Sequence, residues 1–378
     1  MTPFQFAIMA GVFLIILMSI MVVMFFFSIS YGGKKLQRQP FGPLLQSFAA
    51  HYEKFPEIPG LKLEPQILDE AIRTCISEGS LIRAKHLAIV RGEVCEEKDF
   101  ALDELREVLL PDILRMKNHI TPELFAAHIA HPLIQSHLTP IFASISRPLL
   151  RYSAQNPINY NLKPEKRAGN HHVMDTILGY HSRVSRLALT FEPELYFEKD
   201  LLIEHANTTK IGQWFPSIAL GNEFLDLPEN EQLFMLASKA ALFRPELRIL
   251  LVFPTEAEFM EFGSEIVKFQ TDEPSILMGK IFRTLQEEEA EVVQARLKSM
   301  PELDPFELNE WRRGAILTAH RIGWILVDRW PEIKRVLMRE GHPGTIDDLL
   351  HYMISDSFLI TLGALGVFPG ETVQPSLS

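Results

Sequence analysis

The sequence predicts a mostly helical α+β protein: an N-terminal transmembrane helix, a helical linker region, and a C-terminal helical domain with a small β-sheet. Three observations carry that expectation. Residues 6–29 (FAIMAGVFLIILMSIMVVMFFFSI) are apolar except for Ser19 and Ser28. Two long segments, Leu225 to Glu246 and Asp304 to Asp328, repeat apolar residues at helical spacing behind helix-start signals. Strand character is confined to two short runs, Leu195 to Glu198 and Ser217 to Leu220. The expected division is an anchor over 1–33, a proline-rich connector over 34–64, a helical region over 65–150, the sheet-bearing domain over 151–367 and a loose tail over 368–378.

As a helix, residues 6–29 would span roughly 36 Å at about 1.5 Å per residue, enough to cross a bilayer with some tilt. A cleaved signal peptide would show a basic n-region and a shorter apolar core, and neither is present. No Lys or Arg precedes the segment, whereas Lys34, Lys35 and Arg38 come directly after it. The positive-inside rule then places the N-terminus outside and the bulk of the chain in the cytoplasm. The bilayer is the first expected partner.

Composition excludes other classes. Of 378 residues, 47% are hydrophobic, too many for a disordered chain. A net charge of −11 argues against a nucleic-acid binder, which needs a basic face. The cysteines, Cys75 and Cys95, form neither a CxxC pair nor a disulfide framework and read as reduced thiols.

After the connector, Pro65 opens a helix that ends near Gly79, and Ser80 to Arg91 reads as a second, together a helical hairpin. Further helices are expected over Phe100 to Asn118 and Thr121 to His131, the latter opened by Thr121-Pro122-Glu123 as cap, first turn and acidic residue. Arg147 to Lys166, with Pro148, Pro157 and Pro164, is the expected junction with the C-terminal domain. Asn170 to Leu189 reads as a helix, and His205 to Thr209 as a turn between the strand runs.

The first core helix is expected to be capped by Asp226, with Pro228 in its first turn, and to stop at Arg244 before Pro245. It is apolar on all sides, which marks a helix buried inside a domain. A helix over Glu256 to Phe269 comes next, then a long charged one over Ser275 to Met300 with Glu287-Glu288-Glu289 as a solvated face. The second core helix has Asp304 as cap, Pro305 at its first position, and a stripe of Trp311, Ala315, Ala319, Ile322 and Leu326. Gly314 and Gly323 each cost a helix about 1 kcal/mol, which implies close approach of another element. Trp330 to Arg339 and a last helix from Thr345 to Leu362 complete the chain.

A strand, an Asn-bearing turn (His205-Ala206-Asn207-Thr208), a strand, Gly221, Leu225-Asp226, a buried helix, and later an Arg-Arg helix with Ala319-His320-Arg321 form an ordered pattern. This order resembles the minimal domain of the membrane-associated zinc endopeptidases that include the CAAX prenyl protease and the heat-shock membrane protease, and within it a degenerate bacterial accessory branch. The resemblance covers about half the chain and implies a zincin-like helical domain.

It also implies a fate for the chemistry. The family's first core helix reads His-Glu-x-x-His, two zinc ligands and a water-activating base. The matching positions here hold Ser238, Lys239 and Leu242. The third ligand, a Glu four residues before an Asp, is replaced by Ile316, with His320 at the Asp position. Leu242 and Ile316 cannot ligate a metal, and Lys239 cannot act as a carboxylate base without a large pKa depression. The resemblance therefore implies no catalytic residue, no metal and no cofactor, and His320 as the polar group left on the pocket side.

The expected function is a non-catalytic, membrane-anchored scaffold or binding module that engages a protein partner. Two alternatives stand beside it. One is a metal-dependent hydrolase with a relocated site, drawing on His128, His131 and His137, or on His171-His172 with Asp175. The other is a structural subunit of a membrane complex, in which Gly11 and Ser19 of the anchor would pack against another helix. The sequence contains no GxSxG, P-loop or GxGxxG motif.

Overall fold

The helical hairpin forms where its punctuation puts it. Helix α1 (Pro65–Ser77) starts on a proline that needs no helical N–H partner, and buries Leu68, Ile72 and Cys75 along one stripe. Gly79 takes φ +75°, the left-handed region open to glycine, and the chain reverses into α2 (Leu81–Val94). A computed structural model describes residues 65–94, 105, 116–171, 174–188, 191–210, 213–342 and 344–367, all within one compact unit. The anchor, the connector, Cys95, most of the helix expected over Phe100 to Asn118 and the tail lie outside the described residues. Among the described residues no helix is long and apolar enough to cross a membrane.

Thr121 caps the next helical turn, Pro122–Leu124, by accepting from the Leu124 N–H at 3.1 Å. The turn then widens into a π-type turn, Phe125–Ile129, and His131 caps a further turn, Pro132–Ile134. Helix α3 (Leu138–Ser153) runs through Pro148, where the sequence places the domain junction. Helix α4 (Asp175–Ala188) starts five residues later than expected, because Ala168–Asn170 forms a separate tight turn.

The sheet has three strands in the order β1 (Glu194–Phe197), β5 (Ser217–Leu220), β2 (Ile203–Ala206). β1 runs parallel to β5 and β2 antiparallel. Central β5 is buried at every residue, as a strand covered on both faces must be. β2 corrects the expected turn at His205: His205 and Ala206 are strand residues. Only Ile203 and Ala206 of this edge strand are buried, too few for alternation to show. A two-residue hairpin, β3 (Thr209–Lys210) with β4 (Gln213–Trp214), closes the loop.

Gly221 ends β5 because a Cβ there would enter the Leu201 backbone. One helical turn, Asn222–Leu225, precedes the first core helix α5 (Glu229–Ala241). The expected cap is corrected here. Asp226 ends the short turn, and Pro228, extended at φ −55° and ψ 144°, sits at the cap position of α5. Its carbonyl accepts from the N–H groups of Glu231 and Gln232 at 2.9 and 3.0 Å.

Helix α6 (Glu256–Gln270) opens with a capping box between Thr255 and Glu258. The long charged helix is two: α7 (Ile276–Thr284) and α8 (Glu287–Ser299), parted by extended Leu285 and Gln286. Glu287, Glu288 and Glu289 form the first turn of α8, where the helix dipole favours them. The second core helix, α9 (Pro305–Val327), has the expected Asp304 cap, its carboxylate accepting from Phe306 N–H at 2.9 Å. Next in the chain is α10 (Trp330–Arg339). The last helix is also two, α11 (Gly344–Ile354) and α12 (Asp356–Ala364), because Ser355 turns extended and caps the second.

α5 packs most extensively on α9. The pair is antiparallel. The start of α9 meets the loop that leads out of α5 toward α6, through Arg312 to the Pro254 carbonyl at 2.9 Å. The helix after α9 meets the start of α5, where Arg335 and Arg339 reach buried Glu231 at 2.9 and 3.1 Å. Both α9 glycines are the close approaches their cost implied. A Cβ on Gly314 would lie 2.6 Å from Leu133 Cβ, and one on Gly323 would strike Ser238 Oγ and the Phe234 ring. Below this seam, Phe142, Phe259, Phe262 and Trp311 form an aromatic core, Phe142 edge-on to Trp311 at 4.7 Å.

Candidate functional site

Along the α5–α9 seam, a step from Gly323 toward the start of α9 reaches His320 and then Ile316. A step from Ser238 toward the end of α5 reaches Lys239 and then Leu242. Because the helices are antiparallel, these steps run the same way. The five degenerate positions implied by the resemblance, Ser238, Lys239, Leu242, Ile316 and His320, therefore lie along one stretch of the seam. Lys239, Leu242 and Ile316 are half-buried, whereas Ser238 and His320 are buried, at 7% and 6% exposure.

Two neighbours complete the surroundings. The His342 ring stands 5.5 Å from that of His320, and the Phe234 ring 5.9 Å from it on the other side. His342 is exposed and is placed by backbone geometry. Gly341 at φ +74° ends α10 in a left-handed turn, and the His342 N–H donates to the Leu337 carbonyl at 2.9 Å. From the sheet, His205 Nε2 donates to the Lys239 carbonyl at 2.8 Å and its ring meets Phe243 edge-on. β2 is thereby pinned to the end of α5.

Electrostatics derive from this placement. Burial, then the charges of His342 and Lys239, push the His320 imidazole down to about 3, so it is neutral at neutral pH. Burial and Lys239 push His205 down to about 4. Among the described residues no carboxylate pairs with Lys239. Asp348, whose charge reaches His320, is already engaged. Arg321 donates to both of its oxygens, at 2.9 and 2.6 Å, and His131 Nε2 lies 3.2 Å away. Burial would raise the Asp348 carboxyl, but these partners hold it at about 2. Ser238 Oγ and His320 Nδ1 are both buried without a hydrogen-bond partner among the described residues.

The alternative histidines are scattered. His128 and His131 do not share a helix face, because the π-type turn ends at Ile129 and His131 caps the next turn. His131 is used twice, its Nδ1 accepting from Leu133 N–H at 3.1 Å. His128 Nδ1 is 3.5 Å from Ser357 Oγ, and His137 Nδ1 is 3.5 Å from Glu307. His171 is extended and precedes α4, so it does not share a helical face with Asp175; it donates through Nε2 to the Glu165 carbonyl at 3.2 Å. His172 lies outside the described residues. Among the described residues no three His, Cys, Asp or Glu side chains converge as a metal would require.

Sequence reasoning missed His342 and the Arg321–Asp348–His131 network. Gly341-His342 after a helix was the one local signal available, as a left-handed helix end. Set against family models, curated proteins and solved structures, the chain matches none, so the seam is read from its residues and geometry alone.

Proposed function

We propose that the chain is a non-catalytic, membrane-anchored binding or scaffold module built on a pseudo-peptidase core, degenerate relative to the membrane-associated zinc endopeptidases. One observation carries the reading: Ser238, Lys239 and Leu242 on α5 and Ile316 on α9 lie along the seam of one antiparallel helix pair. In a zinc peptidase of that plan, those positions would hold the ligands and the base. A hydroxyl, an ammonium and two aliphatic side chains supply neither a Lewis acid site nor a water-activating carboxylate. The apolar stretch at residues 6–29 supports a single-pass anchor in a bacterial inner membrane, with the described unit on the cytoplasmic side.

The test uses the full-length chain in non-ionic detergent. Wild type is expected to take up no stoichiometric zinc and to leave peptide substrates intact. The combined variant Ser238→His, Lys239→Glu, Leu242→His and Ile316→Glu is expected to gain about one zinc per chain while keeping a cooperative melt. Stoichiometric zinc on wild type, or peptide hydrolysis by it, would overturn the reading. A folded combined variant that ignores zinc would break the positional correspondence.

A further inference from the structure

The seam keeps a positive charge where a zinc peptidase would keep its ion, and among the described residues no acid pairs with it. Lys239 is half-buried on α5, beside Ser238 and across from His320, and His342 stands over the outer side of that imidazole at 5.5 Å. Asp348 cannot neutralise the lysine, being held by Arg321 and His131. Two buried polar atoms, Ser238 Oγ and His320 Nδ1, are left with hydrogen bonds unmade. A buried polar atom without a hydrogen bond has lost its water without replacement, and a ligand that makes the bond recovers that cost. Leu242, one turn along α5, and Ile316 on α9 leave half-exposed aliphatic surface along the same seam.

We propose that this seam binds a carboxylate carried on an aliphatic body, with Lys239 as its cation, Ser238 Oγ and His320 Nδ1 as hydrogen-bond donors, and Leu242 and Ile316 against the aliphatic part. The inference rests on the non-catalytic reading above and names the ligand class of the same site. Charge balance selects the anion. Phosphate monoesters carry about −1.5 to −2 at neutral pH, and among the described residues the seam offers one full cation without a carboxylate partner, Lys239, since Arg321 is matched by Asp348. A single negative charge fits one lysine. The flanking Leu242 and Ile316 favour an acid with a branched hydrocarbon over a bare inorganic ion. The carboxylate can belong to a free small acid or to the C-terminus of a polypeptide ending in an aliphatic residue; the chemistry presented to the seam is the same.

The test is calorimetric titration of the full-length chain in non-ionic detergent. The probes are 4-methylpentanoate, its amide, inorganic phosphate, and a short peptide ending in leucine with either a free or an amidated C-terminus. The free acid is expected to bind saturably, and its amide and phosphate at least about tenfold more weakly, as loss of a charge-assisted bond requires. Lys239→Met is expected to weaken the acid at least about tenfold. Lys239→Arg, which keeps the charge, is expected to stay within about threefold. Tighter binding of the free-ended peptide than of the acid would assign the carboxylate to a chain terminus, and the reverse to a small acid. Equal binding of acid and amide, tighter binding of phosphate, or no binding by any probe would overturn the proposal. Should the same preparation hold stoichiometric zinc, the non-catalytic reading fails. Should it hold none and bind no carboxylate, only this inference fails.

Discussion

Two lysine–histidine clusters meet helix α9, and they are built in opposite ways. At its C-terminal end, Asp328 accepts from Lys85 and from His86, the latter at 2.6 Å, and all three side chains are almost wholly buried. Two turns back, Lys239, His320 and His342 gather, and among the described residues no acid pairs with Lys239. The first cluster ties the α1–α2 hairpin to the end of α9, flanked by Trp330 donating to Glu93 at 2.8 Å. Burial raises the Asp328 carboxyl, but the charges of His86 and Lys85 bring it below its ordinary value. A fully buried cation must have its counter-ion, because desolvating a lone charge costs several kcal/mol. The half-buried Lys239 keeps contact with water and is not so constrained. The difference separates a brace, which closes its charge internally, from a site, which leaves charge for something else.

The largest expected effect comes from opening the brace. Asp328 lies in the left-handed region at φ 47°, which Asn tolerates, so Asp328→Asn removes charge with little backbone strain. Leaving Lys85 buried without its partner is expected to cost about 3–5 kcal/mol in denaturant unfolding. Lys239→Met, by contrast, is expected to change stability by under about 1 kcal/mol, because no internal ion pair is lost. A Lys239→Met penalty as large as that of Asp328→Asn would show that the seam lysine is a brace too.

The two clusters also differ in how much of them could be read from the chain. α9 was legible to the residue: an acidic cap, a first-position proline and one apolar stripe are all local signals. Its glycines announced a close approach without naming the partner. α5 was legible as buried, but its start was not. Pro228 fits either a helix's first turn or an extended cap, and the turn at Asn222–Leu225 decided between them. Asp328, Lys85 and His86 read only as ordinary polar residues, since their pairing joins positions more than two hundred apart. His342 owes its place over His320 to the angle at which α10 leaves α9. Spacing along one helix carries no such information.

The second effect is on acid stability, and it reports the seam. His320 and His205 stay neutral in the fold until about pH 3 and 4, but protonate near 6.5 when unfolded. Between those values the unfolded chain binds more protons, so stability falls as pH drops below about 6.5. Asp348 shifts stability in the same direction, but in a lower window. Its folded value of about 2 lies below the unfolded value, so its contribution is complete above about pH 4 and is lost only as pH falls through that lower range. Urea unfolding between pH 7 and 4.5 therefore reports the histidines. His320→Gln is expected to reduce that slope by up to about 1.4 kcal/mol per pH unit. An unchanged slope would mean that His320 is open to water when folded.

The smallest effect tests whether the seam's geometry is set by the glycine that lets α5 approach. Gly323→Ala places a methyl against Ser238 Oγ and Phe234, and is expected to cost about 1–3 kcal/mol despite the better helix propensity of alanine. Gly279 in α7 is the control: nothing lies within 4 Å of a Cβ there, so Gly279→Ala is expected to stabilise by about 0.5–1 kcal/mol. Opposite signs for the same chemical change would locate the difference in packing. Ser238→Ala in the Gly323→Ala background removes one of the two obstructing groups, so the penalties should couple rather than add. If Gly323→Ala alone is neutral, α5 and α9 have slack at this crossing. Ser238 and His320 would then not be held in one place, and the unmade hydrogen bonds of the seam would no longer define a site.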